Sequence, residues 1–443
     1  MIEFSPEVLT FAMMSCLLIG LFMGHPLAFV VGGLGVTFGV LGWGPESLPM
    51  FTNRVFAIMD NYIIVAAPLF IFMAQLLDRS GIAEDLFGTM RHLFRSVRGG
   101  LAVAVVIVST LFAACTGIIG ASVVTMGVLS LPLMLKHGYD KKLACGVICS
   151  GGCLGILIPP SIMLIIMADQ AGVSVGKLFA GAIIPGLIFS ALYISYILII
   201  CYFKPELGPA VSAEEIEAIP LKKLMWMTLR CLVHHMVLIL GVLGSIFAGI
   251  ATPTEASGVG CLLAFIMMCA YGKFSWQALY DSVIQTAKTT SMVMMIIVAA
   301  SIFTGVFLGM GCGQVVSNLI LGLGLGKWGT FIIMMLILFF MGMFIDWMGI
   351  VLIVFPIFLP IAQSLGFDTF WFVMIMAIML QDSFLTPPFG YSLFYLRGIA
   401  PPEVKTSDIY WGVVPFWHLM EVGLIICILF PETITWLPSI LVK

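Results

Sequence analysis

Two proline pairs interrupt long apolar stretches and limit the possible folds of this chain more than any other feature. Pro159-Pro160 lies within residues 143–168, and Pro387-Pro388 lies within residues 370–396. Proline lacks a backbone N–H, and its ring clashes with the preceding helical turn, so neither stretch can form one intact helix. Two broken helices at corresponding positions of two halves mark the binding site of a transporter. Two kinked spans without a ligand are the alternative interpretation.

The composition predicts an all-α polytopic membrane protein. Hydrophobic residues make up 61% of the 443 residues and charged residues only 9%, whereas a soluble domain has about 25% charged residues. A membrane helix needs about 20 apolar residues, and many runs of that length occur. The net charge is −3, and no basic stretch is interleaved with aromatic residues, so nucleic acid is not an expected partner.

The sequence gives no indication of an enzyme. No Walker A pattern, HExxH or G-x-S-x-G occurs, which argues against ATP hydrolysis and against a membrane protease or hydrolase. Most of the 11 cysteines lie in apolar runs and none forms a CxxC pair, so they are interpreted as packing residues. We expect no catalytic residue and no organic cofactor.

The two halves of the chain repeat the same landmarks. The two proline pairs lie 228 positions apart, as do Leu131-Pro132 and Leu359-Pro360. The sequence therefore predicts a first repeat at residues 1–203, a cytoplasmic linker at 204–223 and a second repeat at 224–443. Each repeat is expected to contain a re-entrant hairpin, at about residues 101–135 and 331–362, in addition to its broken helix. An odd number of crossings per repeat makes the second repeat inverted relative to the first.

Basic residues determine the expected orientation. Residues 83–98 form an amphipathic segment, expected to lie along the membrane interface, and its arginines precede the first hairpin, which is followed by Lys136, Lys141 and Lys142. Basic residues concentrate in cytoplasmic loops. Both ends of the first hairpin are therefore placed in the cytoplasm, and both chain termini outside.

Each half is expected to bring a hairpin tip close to a broken helix. Carbonyl and hydroxyl oxygens converge there, and such hard ligands, with half-helix C-termini, suit a cation such as Na⁺. Half-helix N-termini suit an anion. The predicted sodium-binding residues are Thr116, Gly117, Ser122, Gly152, Gly155, Pro159, Gly342, Asp346, Ser383, Thr386 and Pro387. The predicted substrate-binding residues are Ser161, Asp382, Pro388 and Gly390.

Alternative roles remain open for the polar members of this set. Asp346 and Asp382 are ionisable groups near the midplane, which are functional candidates by default; alternatively, each caps the N-terminus of a half-helix. The serine and threonine hydroxyls alternatively bond to the carbonyl four residues earlier in their own helix.

Four motifs together resemble the large membrane subunit of tripartite ATP-independent periplasmic (TRAP) transporters. They are AAPLF at 66–70, GILIPPS at 155–161, ATPTEA at 251–256 and TPPFG at 386–390, and the resemblance covers essentially the whole chain. One departure is the first hairpin tip, where Cys115-Thr116-Gly117 replaces a serine-rich sequence.

The resemblance implies Na⁺-driven uptake of a small organic acid anion across a bacterial inner membrane. It implies an elevator-type fold, in which a transport domain moves against a scaffold, and Na⁺ as the coupling ion. The implied partners are a periplasmic substrate-binding protein and a separate small four-helix membrane subunit. An uncoupled facilitator or channel for a small anion is the alternative function.

Overall fold

A computed structural model describes residues 5–117, 119–210, 220–387 and 390–442, without the side chains of Cys115, Thr116 and Leu221. Within these ranges the regular structure is helical and contains no β-strand. In the described part of the chain, eight helices are long and apolar enough to cross a membrane, or up to nine if one bent pair counts as a span. The predicted all-α polytopic fold is therefore confirmed.

The described part of the first half contains ten α-helices. They are α1 (Pro6–Phe22), α2 (Leu27–Trp43), α3 (Leu48–Met59), α4 (Ala66–Asp78), α5 (Ile82–Leu93), α6 (Gly100–Thr116), α7 (Ile119–Lys136), α8 (Lys141–Leu157), α9 (Ile162–Ala171) and α10 (Val175–Phe203). The amphipathic segment predicted at 83–98 corresponds to α5, which ends before the last two of its arginines. Residues 211–219 of the predicted linker lie outside the described residues.

The second half contains the remaining helices. They are α11 (Leu221–Ile239), which continues through a π-helical turn (Leu240–Gly244) into α12 (Ser245–Phe247), then α13 (Pro253–Ala270), α14 (Trp276–Gly309), α15 (Cys312–Gly322), α16 (Gly326–Gly342), α17 (Trp347–Ser364), α18 (Thr369–Ser383), α19 (Tyr391–Ile399), α20 (Thr406–Leu429) and α21 (Glu432–Leu441).

Corresponding helices of the two halves follow one spacing. The first residues of α7 and α17 are 228 positions apart, and so are those of α8 and α18. One region differs. In the first half α3 and α4 are separated by residues 60–65, whereas the matching part of the second half is the continuous 34-residue helix α14. Asn61 contributes to this break, because its side chain accepts a hydrogen bond from the backbone N–H of Ile63 (3.0 Å).

Two helical hairpins and two broken helices form the centre of the fold. The hairpins are α6–α7 and α16–α17, and the helices of each pair pack against each other. The first broken helix is α8–α9, bent by 40°; the second is α18–α19, interrupted between Ser383 and Tyr391. Both breaks contain the proline pairs, so the broken helices predicted from the sequence are confirmed.

The first half-helices of the two breaks are the most buried helices of the protein. Every residue of α8 from Leu143 to Leu157 is buried, and so is every residue of α18 from Trp371 to Ser383. Glycine makes this possible where α8 crosses α20, because a methyl group at Gly146 would collide with the carbonyl of Gly412. Small residues at a helix crossing let the two backbones approach closely. The two helices that lead into the breaks, α8 and α18, are therefore tightly packed against their neighbours.

Candidate functional site

The first hairpin tip contacts the first break. Gly117 ends α6 with a φ of 62°, in the left-handed region, and reverses the chain into α7. A methyl group at this position would lie 2.6 Å from the carbonyl oxygen of Pro160. Only glycine fits both the backbone conformation and this approach. The tip backbone is thus held directly against the proline pair.

A serine hydroxyl bridges the first break. Ser161 is the N-cap of α9, and its hydroxyl accepts a hydrogen bond from the backbone N–H of Leu164 (3.4 Å). The same hydroxyl donates to the carbonyl of Ile156, near the end of α8. It therefore satisfies one group from each half-helix. A serine N-cap of this kind contributes about 1 kcal/mol to helix stability.

The second hairpin tip contacts the second break in the same way. A methyl group at Gly342, the last residue of α16, would overlap the side chain of Ser383 at the end of α18. A serine also bridges this break, because the Ser392 hydroxyl of α19 donates to the carbonyl of Phe384 (2.7 Å). Gly390, in the left-handed region with a φ of 36°, precedes α19. We call each hairpin tip, together with the break that it contacts, a tip-and-break unit: Gly117 with Ser161 in the first half, and Gly342 with Ser383 and Ser392 in the second. The two units are therefore built alike.

Asp346 caps the helix that follows the second tip. Its carboxylate accepts a hydrogen bond from the backbone N–H of Met348 (3.2 Å) at the start of α17. This is the capping role that the sequence left open for an intramembrane aspartate. The residue is only partly buried, and it also lines the cavity described next. Capping leaves lone pairs of the carboxylate available for a cation.

A cavity of about 620 Å³ lies where the two units meet. Both hairpin tips line it, through Gly117 and Asp346, and so do residues flanking both breaks. The remaining wall comes from α2, α4 and α14. The lining residues are Pro26, Leu27, Ala28, Phe29, Ile71, Gly117, Ile119, Gly120, Ile156, Ile162, Thr289, Ser291, Met292, Val293, Met295, Ile296, Asp346, Trp347, Met348, Phe384, Tyr391 and Tyr395. Ligand cavities commonly measure about 300–1,000 Å³.

The polar groups of the cavity are few. The polar side-chain groups are the Asp346 carboxylate, the indole N–H of Trp347 and the hydroxyls of Thr289, Ser291, Tyr391 and Tyr395, and the described lining contains no Lys, Arg or His. The sequence did not single out these four hydroxyl residues. For the two tyrosines a signal existed, since they lie three and seven residues after the second proline pair. For Thr289 and Ser291 none existed, because only the packing of α14 brings them to the site.

Several predicted site residues are buried nearby without lining the cavity. Gly152 packs against α7, where a methyl group would lie 3.2 Å from the Val123 Cα. Ser383 and Thr386 donate to the carbonyls of Met379 (3.4 Å) and Asp382 (2.9 Å), the alternative role considered for such hydroxyls. Ser122, Gly155 and Pro159 are also buried.

The other predicted residues divide into three groups. Pro387 is exposed, Pro388 lies outside the described residues, and the side chain of Thr116 is not described. Asp382 is buried but faces α20, where it accepts a hydrogen bond from Trp417 Nε1 (2.9 Å). The structure thus brings Gly117 and Asp346 to the cavity wall, places Ser161 and Gly390 in the breaks and directs Asp382 elsewhere.

Comparisons with known proteins agree with this architecture. Residues 10–433 match the family described as "Tripartite ATP-independent periplasmic transporter, DctM component". The C4-dicarboxylate TRAP transporter large permease protein DctM of Vibrio cholerae is 31% identical, over 97% of this chain and 98% of that protein. The protein of the same name from Pseudomonas aeruginosa is 30% identical, over 92% of this chain and 93% of that protein.

Two further comparisons concern a permease with a different name and a solved structure. The isethionate TRAP transporter permease protein DctMQ of Oleidesulfovibrio alaskensis is 29% identical, over 92% of this chain and 62% of that protein. The crystal structure of the YdaH transporter of Alcanivorax borkumensis superposes with a TM-score of 0.65 at 15% identity, over 92% of this chain and 98% of that one. The latter similarity shows a shared fold.

The paired hairpins, the two broken helices and the cavity between them define a multi-pass membrane permease. The chain belongs to the DctM family, the large permease component of TRAP transporters. The relatives named above are transporter permeases and not enzymes.

Proposed function

We propose that this protein is the permease subunit of a Na⁺-coupled secondary transporter that imports a small organic acid anion across a bacterial inner membrane. The observation that carries the proposal is the charge of the cavity. Asp346 is on its wall, and the described lining has no cationic side chain. An anion bound there has the same sign as Asp346, and two such charges repel strongly in a medium of low dielectric constant. A co-bound cation removes this repulsion.

The tip-and-break units supply the ligands for that cation. In the first unit, backbone carbonyls of Thr116, Gly117 and the first break are the candidates. In the second unit, the candidates are the Asp346 carboxylate, the Gly342 carbonyl and the hydroxyls of Ser383 and Thr386. Hydroxyls that donate to a helix carbonyl keep lone pairs for a metal ion. Oxygen ligands and half-helix C-termini together favour Na⁺.

The substrate is an anion small enough for the cavity. Half-helices α9 and α19 begin at its wall, at Ile162 and Tyr391, and the N-terminus of a helix attracts negative charge. The hydroxyls of Tyr395, Thr289 and Ser291 add donors for a carboxylate. Named relatives are permeases for C4-dicarboxylate and for isethionate, two small acids. We infer that the substrate is a small organic acid anion of this class.

The partners and the motion complete the proposal. We propose that a periplasmic substrate-binding protein delivers the anion and that a small four-helix membrane subunit completes the complex. One relative is named DctMQ, and this chain covers only part of its length.

We further propose an elevator motion in which the two tip-and-break units move together with the cavity. The contacts of Gly117 with Pro160 and of Gly342 with Ser383 support movement of each unit as one body.

Uptake into proteoliposomes tests the proposal. The full-length permease is reconstituted with its small membrane subunit, and a radiolabelled C4-dicarboxylate is added with the binding protein outside. We expect accumulation under an inward Na⁺ gradient and none in choline or potassium buffer. Equal uptake in all three buffers would contradict Na⁺ coupling and support the facilitator alternative. Because the substrate is inferred only by class, a second measurement uses no substrate: Na⁺, but not choline, should raise the melting temperature of the purified protein.

A further inference from the structure

Lys288 on α14 lies next to the cavity without forming part of its described wall. Its side chain is exposed, and Thr289, directly after it, lines the cavity. Ser291, Met292 and Met295, which follow it by three, four and seven residues, line the cavity as well. Residues at these spacings share one face of an α-helix. Lys288 is therefore at the rim of the cavity, on the face of α14 that forms part of its wall.

The surroundings of Lys288 are unfavourable for a charged side chain unless water or an anion reaches it. It belongs to a polar run, QTAKTTS at 285–291, near the middle of a 34-residue helix. The next large side chains on its face, Met292 and Met295, are apolar and are 55% and 44% exposed. Charged residues within membrane-spanning helices are costly and almost always face the protein interior or a water-filled cavity. The neighbouring cavity meets this requirement.

No counter-charge for Lys288 occurs in the described part of the chain. None of the described residues forms a hydrogen bond or an ion pair with its ammonium group. Asp281, the acidic residue of α14, lies seven residues earlier, about 10 Å along the axis. Its carboxylate accepts a hydrogen bond from Gln277 Nε2 (2.9 Å). Lys288 is thus an unpaired cation beside a cavity whose described wall carries the negative charge of Asp346 and no positive charge.

We propose that Lys288 binds the carboxylate of the transported anion at the rim of the cavity. The inference rests on the proposed function and deepens it, because it names the side chain that pairs with the anion. A lysine ammonium is a compact charge on a flexible four-carbon stem, so it can follow a carboxylate from the rim towards the hydroxyls of Thr289 and Ser291. Two cations then have separate roles: Na⁺ offsets the charge of Asp346, and Lys288 attracts the substrate.

Charged thiol reagents test the position of Lys288 without a substrate. Thr289→Cys is introduced into the full-length protein in detergent, and mass spectrometry follows its reaction with an anionic and a cationic methanethiosulfonate. A positive charge at the rim speeds the anionic reagent and slows the cationic one. Adding Lys288→Gln should therefore lower the ratio of the two rates by about threefold or more. Lys273→Gln is the matched control: Lys273 is exposed just before α14, and the same change there should leave the ratio unaltered.

Chemical rescue of uptake tests whether the charge itself is needed. Lys288→Cys, in the proteoliposome assay with radiolabelled succinate as the C4-dicarboxylate, should lower uptake about tenfold, because a charge-assisted hydrogen bond to the carboxylate is lost. Reaction with an aminoethyl methanethiosulfonate places an ammonium group at the same position and should restore most of the uptake. An uncharged methyl reagent should not. The wild type, treated in the same way, controls for reaction at the native cysteines.

Three results would overturn the inference: a rate ratio unaffected by Lys288→Gln, no reaction at position 289 with either charged reagent, or equal rescue by the charged and uncharged reagents. Loss of the small membrane subunit from Lys288→Gln during size-exclusion chromatography would also overturn it, because Lys288 would then bind that subunit. Melting temperatures show whether each variant is folded. Absence of Na⁺-dependent uptake by the wild type would contradict the proposed function instead, and the rate ratio would still show whether the rim attracts anions.

Discussion

The two tip-and-break units share a backbone design but differ in chemistry. In both, a glycine at the end of the hairpin's first helix contacts the break, and a serine hydroxyl bridges the two half-helices: Ser161 to Ile156 in the first unit and Ser392 to Phe384 in the second. Among the lining residues that the structure describes, only the second unit contributes a carboxylate, that of Asp346. The internal repeat thus reproduces the scaffold of the site, whereas one half alone supplies its side-chain charge.

The largest expected effect comes from removing that charge. Asp346→Asn keeps a side-chain oxygen for the cap on α17, so the fold should be retained. Loss of one charged ligand costs about 2 kcal/mol, which corresponds to about a thirtyfold weaker Na⁺ affinity. The Na⁺ concentration for half-maximal uptake measures this change. Asp169→Asn, at the far end of α9, is the control. Unchanged Na⁺ dependence in Asp346→Asn would show that the difference in charge between the two units is irrelevant to coupling.

A smaller effect is expected from the two tip glycines, and it should differ between the units. Gly117→Ala forces a left-handed alanine, at a cost of about 1–2 kcal/mol, and brings its methyl group against the backbone of Pro160. Gly342→Ala collides instead with the side chain of Ser383. Melting temperatures should fall in both variants, and adding Ser383→Gly should restore only the second. If Ser383→Gly restored the melting temperatures of both glycine variants equally, or of neither, the tips would not contact the breaks as described.

Replacing the bridging serines should have the smallest effect, and the effect should be nearly the same in the two halves. Ser161→Ala and Ser392→Ala each remove one hydrogen bond across a break, worth about 1 kcal/mol. We expect a slight fall in the melting temperature for each and Na⁺-dependent uptake within a few-fold of the wild type. A much larger loss of uptake in Ser161→Ala would instead favour the predicted contact between Ser161 and the substrate.

The sequence predicted the breaks and the tips because both follow from local chemistry. Each of the pairs Pro159-Pro160 and Pro387-Pro388 removes two backbone donors and clashes with the preceding turn, which breaks or kinks a helix, and Gly117 marks a reversal that other residues strain to make. The position of Asp346 followed from its place at a tip. The repeat boundaries, the orientation of the chain and the Na⁺ ligands stay predictions.

Other parts of the site depend on contacts between distant segments. Thr289 and Ser291 precede the strongly apolar part of α14, so hydropathy alone assigns them no place at a cavity. The sequence marked Asp382 as functional but did not indicate its direction. Only the packing of α18 on α20 shows that its carboxyl group accepts a hydrogen bond from Trp417 and does not line the cavity.

The length of α14 has a consequence for access to the cavity. At about 1.5 Å per residue, its 34 residues extend about 51 Å, well beyond the roughly 30 Å of hydrocarbon in a bilayer. The cavity-lining residues Thr289 to Ile296 lie halfway along this helix, so about 25 Å separates them from either end. If α14 crosses the bilayer evenly, a bound anion lies near its midplane and far from both water layers. Entry and exit then require the protein itself to move.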